Sequence, residues 1–446
     1  MHTHHIDYEP GKDGHGINAY ATLLTRPSYL AGAILLAHTL HKHAPSTPLI
    51  ILYTPETLPE PTVKALEAEV GHSNAIAYPV DHLRLPKEAE NDGVGKGGMV
   101  AERFTDTWTK LRVFEVLEAQ GKKVERLCFL DADMMVFSDP SPLIFSEEND
   151  RYLAADEGKG RRICATHVCV CNLDGDAWAP ETWKKENCAF AALKSPSDIA
   201  PARAQSESST HGIFNSGTFL FHPSPEIRDF VMGAFRNTPA KELGKLKFPD
   251  QDFLNQIFDT RWSSLSWRTN ALKTWRYWHP NIWHDDQVAV LHYIVDKPWA
   301  TRCTSGEQGK KIAGYKGDDG ETHSWWWDNF GKWEKEREAQ KETELIDTVR
   351  KYVAGDKGEQ CEELRPIGSG AQEFAKKWKG KNDGEGTADK QTEERRGGHE
   401  DLGQGPHGPI LRKPMLGERG HGRVVRGGRG RGGSNINPNG SSYMEP

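Results

Sequence analysis

Apolar and polar positions along the first eighty residues switch between two periods. Residues 18–24 form a short apolar run of strand length, whereas 28–43 place Leu30, Ile34, Leu35 and Leu40 at helical spacing. Pro45 to Pro48 end that helix. A second apolar run, 49–53, precedes a Pro-bounded helical stretch, 61–70, and a third short run, 75–79. Strand, helix, strand, helix, strand predicts a parallel sheet with crossover helices.

The pattern resumes after a polar, Gly-rich loop at 91–98. A helix is expected over 107–120, then a strand over 126–130 that stops at Asp131-Ala132-Asp133. Further strands are expected at 213–221 and 288–294, and a charged helix over 325–352; the mixed stretch 161–209 predicts no element. Ligands of open parallel sheets sit beyond the carboxyl ends of strands, which places chemistry at 131–133.

Composition divides the chain. Of 446 residues 36% are hydrophobic, low for one compact enzyme, but 380–446 hold only about 11 hydrophobic residues in 67 and are about a quarter Gly. The expectation is a folded body of roughly 350 residues with a disordered Gly/Arg-rich tail. No apolar run approaches the roughly 18 to 20 residues of a membrane span, and the N-terminus lacks a signal-peptide pattern, so a soluble, cytoplasmic protein is expected. Seven cysteines at irregular spacings fit a reducing compartment, and a net charge of −7 argues against a generic nucleic-acid binder.

Asp131 and Asp133, one residue apart between apolar runs, are costly at a sheet edge unless a cation neutralises them. In an extended backbone residues i and i+2 project to the same side and would converge on one ion, with oxygen ligands suiting Mn²⁺ or Mg²⁺. The plainer reading is a solvated Asp turn closing a strand. His292, ending the run Val288 to Leu291, reads as a structural histidine or a ligand; Asn215-Ser216-Gly217 as a turn; Asp250-Gln251 after Phe248-Pro249 as a helix cap or a polar contact.

Taken in order, these blocks resemble glycosyltransferase family 8, the retaining nucleotide-sugar transferases that include glycogenin and galactinol synthase. The blocks are Ala21-Thr22-Leu23-Leu24-Thr25 with Tyr29, Thr109-Lys110-Leu111-Arg112, Asp131-Ala132-Asp133, Phe214-Asn215-Ser216-Gly217, Asp250-Gln251-Asp252-Phe253-Leu254-Asn255, and His292-Tyr293 with Lys297-Pro298-Trp299. The resemblance implies an α/β, nucleotide-diphospho-sugar transferase (GT-A, Rossmann-like) fold with a mostly parallel central sheet. It implies a catalytic domain over 16–335, leaving 336–379 as a charged helical extension and 380–446 as the tail.

It also implies a UDP-sugar site. Leu23, Thr25 and Tyr29 match residues holding uracil and ribose; Arg103 and Lys110 match donor-site cations; Asp131, Asp133 and His292 match the metal ligands; Lys297 matches the diphosphate contact. Asn215 and Ser216 match sugar-binding residues, and Asp250 and Gln251 match the pair beneath the anomeric carbon. The implied reaction is Mn²⁺- or Mg²⁺-dependent hexosyl transfer from UDP-glucose or UDP-galactose. Either Asp250 is a nucleophile, or the acceptor attacks from the front face while Asp250 and Gln251 orient the sugar; the latter is preferred.

The run from Phe248 to Asn255 and the aromatic segment ending in Trp278-His279-Pro280 are closer to the galactinol synthase branch, which implies a free sugar or polyol acceptor. Self-glucosylation of the glycogenin kind is the alternative, weakened because Trp275 or Arg276 falls at the acceptor position with Tyr277 only nearby. Cys164, Cys169, Cys171 and Cys188 with His167 match no standard zinc spacing and read as free thiols. The Trp325 to Trp327 run reads as helix packing or a carbohydrate face. The tail, with Arg426-Gly427-Gly428-Arg429-Gly430-Arg431, reads as a solubilising segment, with RNA association as a second class. No membrane partner is expected, and a homodimer is left open.

Overall fold

A computed structural model describes residues 16–85, 106–155, 160–173, 175, 179–204, 207–302 and 320–355. Arg103 and the tail from 380 onward lie outside the described residues, as do Cys303 and Cys361.

The first half follows the periodicity closely. Strand β1 (Ile17–Leu24), helix α1 (Leu30–His43), β2 (Leu49–Tyr53), α2 (Glu60–Val70) and β3 (Ala75–Pro79) alternate as expected. Every residue of β2 is buried, as expected for a strand covered on both faces. The helix expected over 107–120 is instead a 3-10 stretch, Thr107–Glu115, followed by a two-residue strand β4 (Glu118–Ala119). The chain turns there because Gln120 and Gly121 both take positive φ, making a tight hairpin in which β4 pairs antiparallel with β5 (Lys122–Leu130).

Next come β6 (Met134–Val136), β7 (Ile163–His167), β8 (Phe214–Phe221), α3 (Pro225–Asn237), α4 (Pro249–Ile257) and β9 (Trp262–Ser264). They are followed by β10 (Ala271–Leu272), the single-turn α5 (Trp275–Trp278) and β11 (Val290–His292). The main sheet runs β3-β2-β1-β5-β8-β7-β9, with β4 beside β5. The four strands β3, β2, β1 and β5 are mutually parallel, β8 is antiparallel to β5 and β7, and β9 is parallel to β7. The mixed α/β fold with a mostly parallel central sheet is as expected. A second sheet runs β10-β11-β6, and its β6 follows directly on the turn that ends β5.

The charged stretch near the end forms two helices, α6 (Glu321–Ala339) and α7 (Thr343–Arg350), broken where Lys341 takes φ +66°. Trp326 and Trp327 are buried, so this part of the Trp run packs α6 onto the body, with the Trp327 indole donating to Pro298 O and Thr301 O. Inside that contact Glu69 is fully buried and accepts from the Arg337 guanidinium at 2.6 and 2.9 Å, the Trp333 indole at 2.9 Å and Ser73 Oγ at 2.7 Å. The network ties α6 to α2. Among the described residues no helix is long and apolar enough to cross a membrane.

Candidate active site

Three strands meet at one end of the sheet. Parallel strands β1 and β5 end there; β8, being antiparallel, begins there, with Leu130 paired to Thr218 and Asp131 N donating to Gly217 O at 2.9 Å. Asn215 and Ser216 therefore arrive beside the acidic pair. Asn255 on α4 clamps the start of β8: its Oδ1 accepts from Phe214 N and its Nδ2 donates to Phe214 O, both at 2.8 Å. That clamp sets Asp250 and Gln251, one helical turn earlier, beside Ser216.

Asp131 and Asp133 do not sit on an extended strand. The chain turns between β5 and β6, closed by Met134 N donating to Asp131 O at 3.1 Å, and the carboxylates converge through that turn. Asp133 is buried and Asp131 partly so, which removes the solvated-turn reading. The approach needs Gly32 of α1, where a Cβ would lie 2.3 Å from Ala132 O and 2.7 Å from the Trp299 ring. A lone glycine inside an apolar helix is the kind of sequence signal that goes with such a close approach. The second sheet delivers His292: it pairs with Met134 and Leu272, and Tyr293 N donates to Asp133 O at 2.9 Å.

The carboxylates divide their oxygens. Asp131 Oδ1 lies 2.9 Å from Lys110 Nζ while its Oδ2 faces His292 Nε2 at 3.9 Å. Asp133 Oδ2 pairs with Lys297 Nζ while its Oδ1 faces His292 Nε2 at 3.3 Å. Lys110 Nζ also reaches Asp250 Oδ2 at 2.7 Å, where Ser216 Oγ donates at 2.9 Å. Burial opposes the charge on Lys110, but Asp131 and Asp250 outweigh it and hold its pKa above the usual value. Burial likewise opposes ionisation of Asp133, but Lys297 and His292 hold that carboxyl well below its usual range. Asp131 is pushed up, chiefly by burial, with Lys110 opposing and Asp133 adding to the rise.

Asn270, which the sequence reading did not single out, fixes the histidine. Its Nδ2 donates to Thr166 Oγ1 at 2.6 Å and Asn215 Oδ1 at 2.9 Å, so its Oδ1 is left to accept from His292 Nδ1 at 2.8 Å. With Nδ1 donating to Asn270, Nε2 is the ring nitrogen that faces the two carboxylates, an arrangement that fits a cation held between them. The three ligand atoms lie within 4.8 Å of one another. Two carboxylates and one imidazole are a donor set suited to a hard divalent ion. No pattern in the sequence announces Asn270; its role exists only through contacts with distant residues.

Of the other expected residues, Leu23 lies on β1 and Thr25 just beyond its end. Tyr29 packs edge-on against Trp299 at 5.6 Å, with Lys297 Nζ 5.9 Å from its ring. Asn215 Nδ2 donates to Gln251 Oε1 at 3.1 Å. Asp250 does not cap its helix, whose N-cap residue is Phe248; from inside the helix Asp252 reaches back to accept from Lys247 N and Phe248 N at 2.9 and 3.0 Å. Lys110, Asp131, Asp133, Asn215, Ser216, Asp250, Gln251, His292 and Lys297 thus share that end of the sheet, with Leu23, Thr25 and Tyr29 along the β1 side.

Cations and carboxylates paired in this way beyond the ends of parallel strands suit a substrate with an anionic leaving group, and comparison with known proteins makes the class definite: the chain is a glycosyltransferase. Residues 22–303 match the family described as Glycosyl transferase family 8, and the chain belongs to that family. It is similar to Galactinol synthase 1 of Solanum lycopersicum, 24% identical over 284 residues covering 63% of this chain and 73% of that protein. It is 24% identical to Galactinol synthase 6 of Arabidopsis thaliana over 292 residues, with the same coverage. Among solved structures, the galactosyltransferase LgtC in complex with donor and acceptor sugar analogs has a TM-score of 0.41 at 15% identity, covering 70% of this chain and 95% of that one.

Proposed function

We propose that the protein is a retaining hexosyltransferase that moves glucose or galactose from a UDP-sugar to a free sugar or polyol, as the galactinol synthase relatives suggest. The observation that carries the reading is the division of labour in the acidic pair: each carboxylate gives one oxygen to a lysine and turns the other toward His292. Asp131, Asp133 and His292 would hold Mn²⁺ or Mg²⁺, which when bound supplies positive charge to a diphosphate leaving group.

Lys297 and Lys110 flank that position and add fixed positive charge in a site with little competing water. Leu23, Thr25 and Tyr29 bind the nucleoside, Tyr29 by stacking, with Arg103 as a further donor-site cation. Asn215, Ser216 and Gln251 orient the hexose. Asp250, with one oxygen already engaged by Lys110 and Ser216, is a weakened nucleophile, which favours a role in orienting the sugar and stabilising positive charge during front-face attack.

The deciding measurement is UDP release from UDP-glucose and UDP-galactose with a panel of small sugars and polyols, with and without Mn²⁺. Acceptor- and metal-dependent release that Asp131→Asn abolishes is expected. Stepwise hexose gain on the protein itself, without an acceptor, would replace this reading with self-glucosylation.

A further inference from the structure

The connection from β7 to β8 is long, and its described residues contain one single-turn 3-10 helix, Lys185–Asn187. Connections of this length without secondary structure are uncommon in a compact domain and need another means of holding their shape. Much of this one is nevertheless buried, including Val168, Val170, Ala189 and Phe190.

Within it Cys169, Cys171 and Cys188 come together around His279, the residue that ends α5 some ninety positions further on. The cluster selects His279, not His167, and leaves Cys164 on β7. All four side chains are buried. His279 Nε2 lies 3.3 Å from the sulfurs of Cys169 and Cys171 and 3.6 Å from that of Cys188, and Cys169 and Cys188 have their sulfurs 3.9 Å apart.

A tetrahedron with metal–sulfur bonds of about 2.3 Å and a metal–nitrogen bond of about 2.0–2.1 Å has edges of about 3.8 Å between sulfurs and about 3.6 Å between sulfur and nitrogen. The observed separations fall close to both values. A disulfide between Cys169 and Cys188 would need sulfurs about 2.05 Å apart. A hydrogen-bonded thiol cluster fits poorly too: a ring nitrogen has one lone pair or one hydrogen in the ring plane, yet three sulfurs converge on this one.

We propose that Cys169, Cys171, Cys188 and His279 form a structural Zn²⁺ site, separate from the Asp131–Asp133–His292 position and closed to substrate by its four protein ligands. Three Zn–S bonds form as three S–H protons leave to solvent, and the neutral imidazole completes the tetrahedron. Sulfur-rich tetrahedral ligation selects Zn²⁺ over the oxygen-preferring ions suited to the acidic pair. The site would pin the β7–β8 connection to the segment leading into β11. Neighbouring contacts lie along the same seam: Phe190 packs on Trp275 at 4.2 Å, and Asn281 Nδ2 donates to Phe190 O and Leu193 O at 3.1 and 2.7 Å. The irregular segment thereby obtains from a metal the rigidity that its sequence does not obtain from hydrogen-bonded secondary structure.

The test is elemental analysis of the full-length protein after dialysis against metal-free buffer. About one zinc per chain is expected, retained in Asp131→Asn and lost in Cys169→Ser, Cys188→Ser and His279→Ala. Because removal of a ligand can unfold the chain, a second measurement uses the Asp131→Asn protein with all four ligands in place. Its zinc is exchanged for Co²⁺, and a thiolate-to-cobalt charge-transfer band with intense tetrahedral d–d bands is expected. Zinc content no higher than in Cys169→Ser, zinc lost in Asp131→Asn but kept in Cys169→Ser, or a weak octahedral cobalt spectrum would each overturn the proposal.

Discussion

A Cβ added at Gly217 would lie 2.5 Å from Cε1 and 2.9 Å from Nδ1 of His292. The imidazole rests directly on the backbone of β8, in space that a side chain would take. Gly217→Ala must therefore push the ring away from Asn270 and from the acidic pair. A fall of about 10–100-fold in divalent-metal affinity is expected, the size of effect seen when the support of a ligand is removed. Titration of the purified variant with Mn²⁺ followed by electron paramagnetic resonance checks it; wild-type affinity would show that the ring does not need this seat.

Lys110 is enclosed by Asp131, Asp250 and the Ser216 carbonyl. Replacing it with Met leaves carboxylates facing each other without the charge between them. Transfer is expected to drop by about 10²–10³-fold, as when one preorganised electrostatic group is deleted, while the fold persists. Initial rates of UDP release together with a circular dichroism melt separate loss of chemistry from loss of structure.

The Glu69–Arg337 pair supplies a stability prediction away from the site. Glu69→Ala strands a buried guanidinium and the Trp333 indole, and the cost is expected to be about 3–5 kcal/mol in chemical denaturation. The double variant Glu69→Leu/Arg337→Met removes both charges together and should recover most of that loss. Equal destabilisation of the single and double variants would show that shape, not charge, decides this contact.

His323 gives a pH dependence. Burial, with the ammonium groups of Lys273 and Lys297 adding to it, holds its pKa well below the usual value, and Lys273 Nζ lies 3.2 Å from its Nε2. The unfolded chain takes up a proton near pH 6.5, whereas the folded chain does not until far lower. Stability contributed by the neutral ring is thus present above about pH 6.5 and declines as the pH falls, by up to about 1.4 kcal/mol per unit. His323→Gln, which keeps an acceptor for Lys273, should flatten the urea-denaturation profile between about pH 6.5 and 5.5.

Much of this architecture was legible before any coordinates. The first three strands and two helices carry uninterrupted periodicity, because each buries a face or, as β2 does, both faces. Periodicity misled at 107–120, where a backbone turn at Gln120-Gly121 overrides helical spacing. It was silent on how Asp131 and Asp133 meet, since a turn brings them together where a pleat was expected. Asn270 and His279 could not be found by any local pattern. Each acts on residues brought near by strand pairing or by a long excursion, so the information lies in the topology.

Gly32 ties two parts of the molecule into one mechanical unit. With Ala132 O seated against the helix backbone, a tilt of α1 carries the carboxylate pair with it. The placement of the acidic pair therefore follows the packing of a helix that contributes none of the candidate ligands. Ala33 and Leu36, fully buried on that helix, thereby bear on where Asp131 and Asp133 sit. A volume change at either position should disturb the ion position before it disturbs the fold.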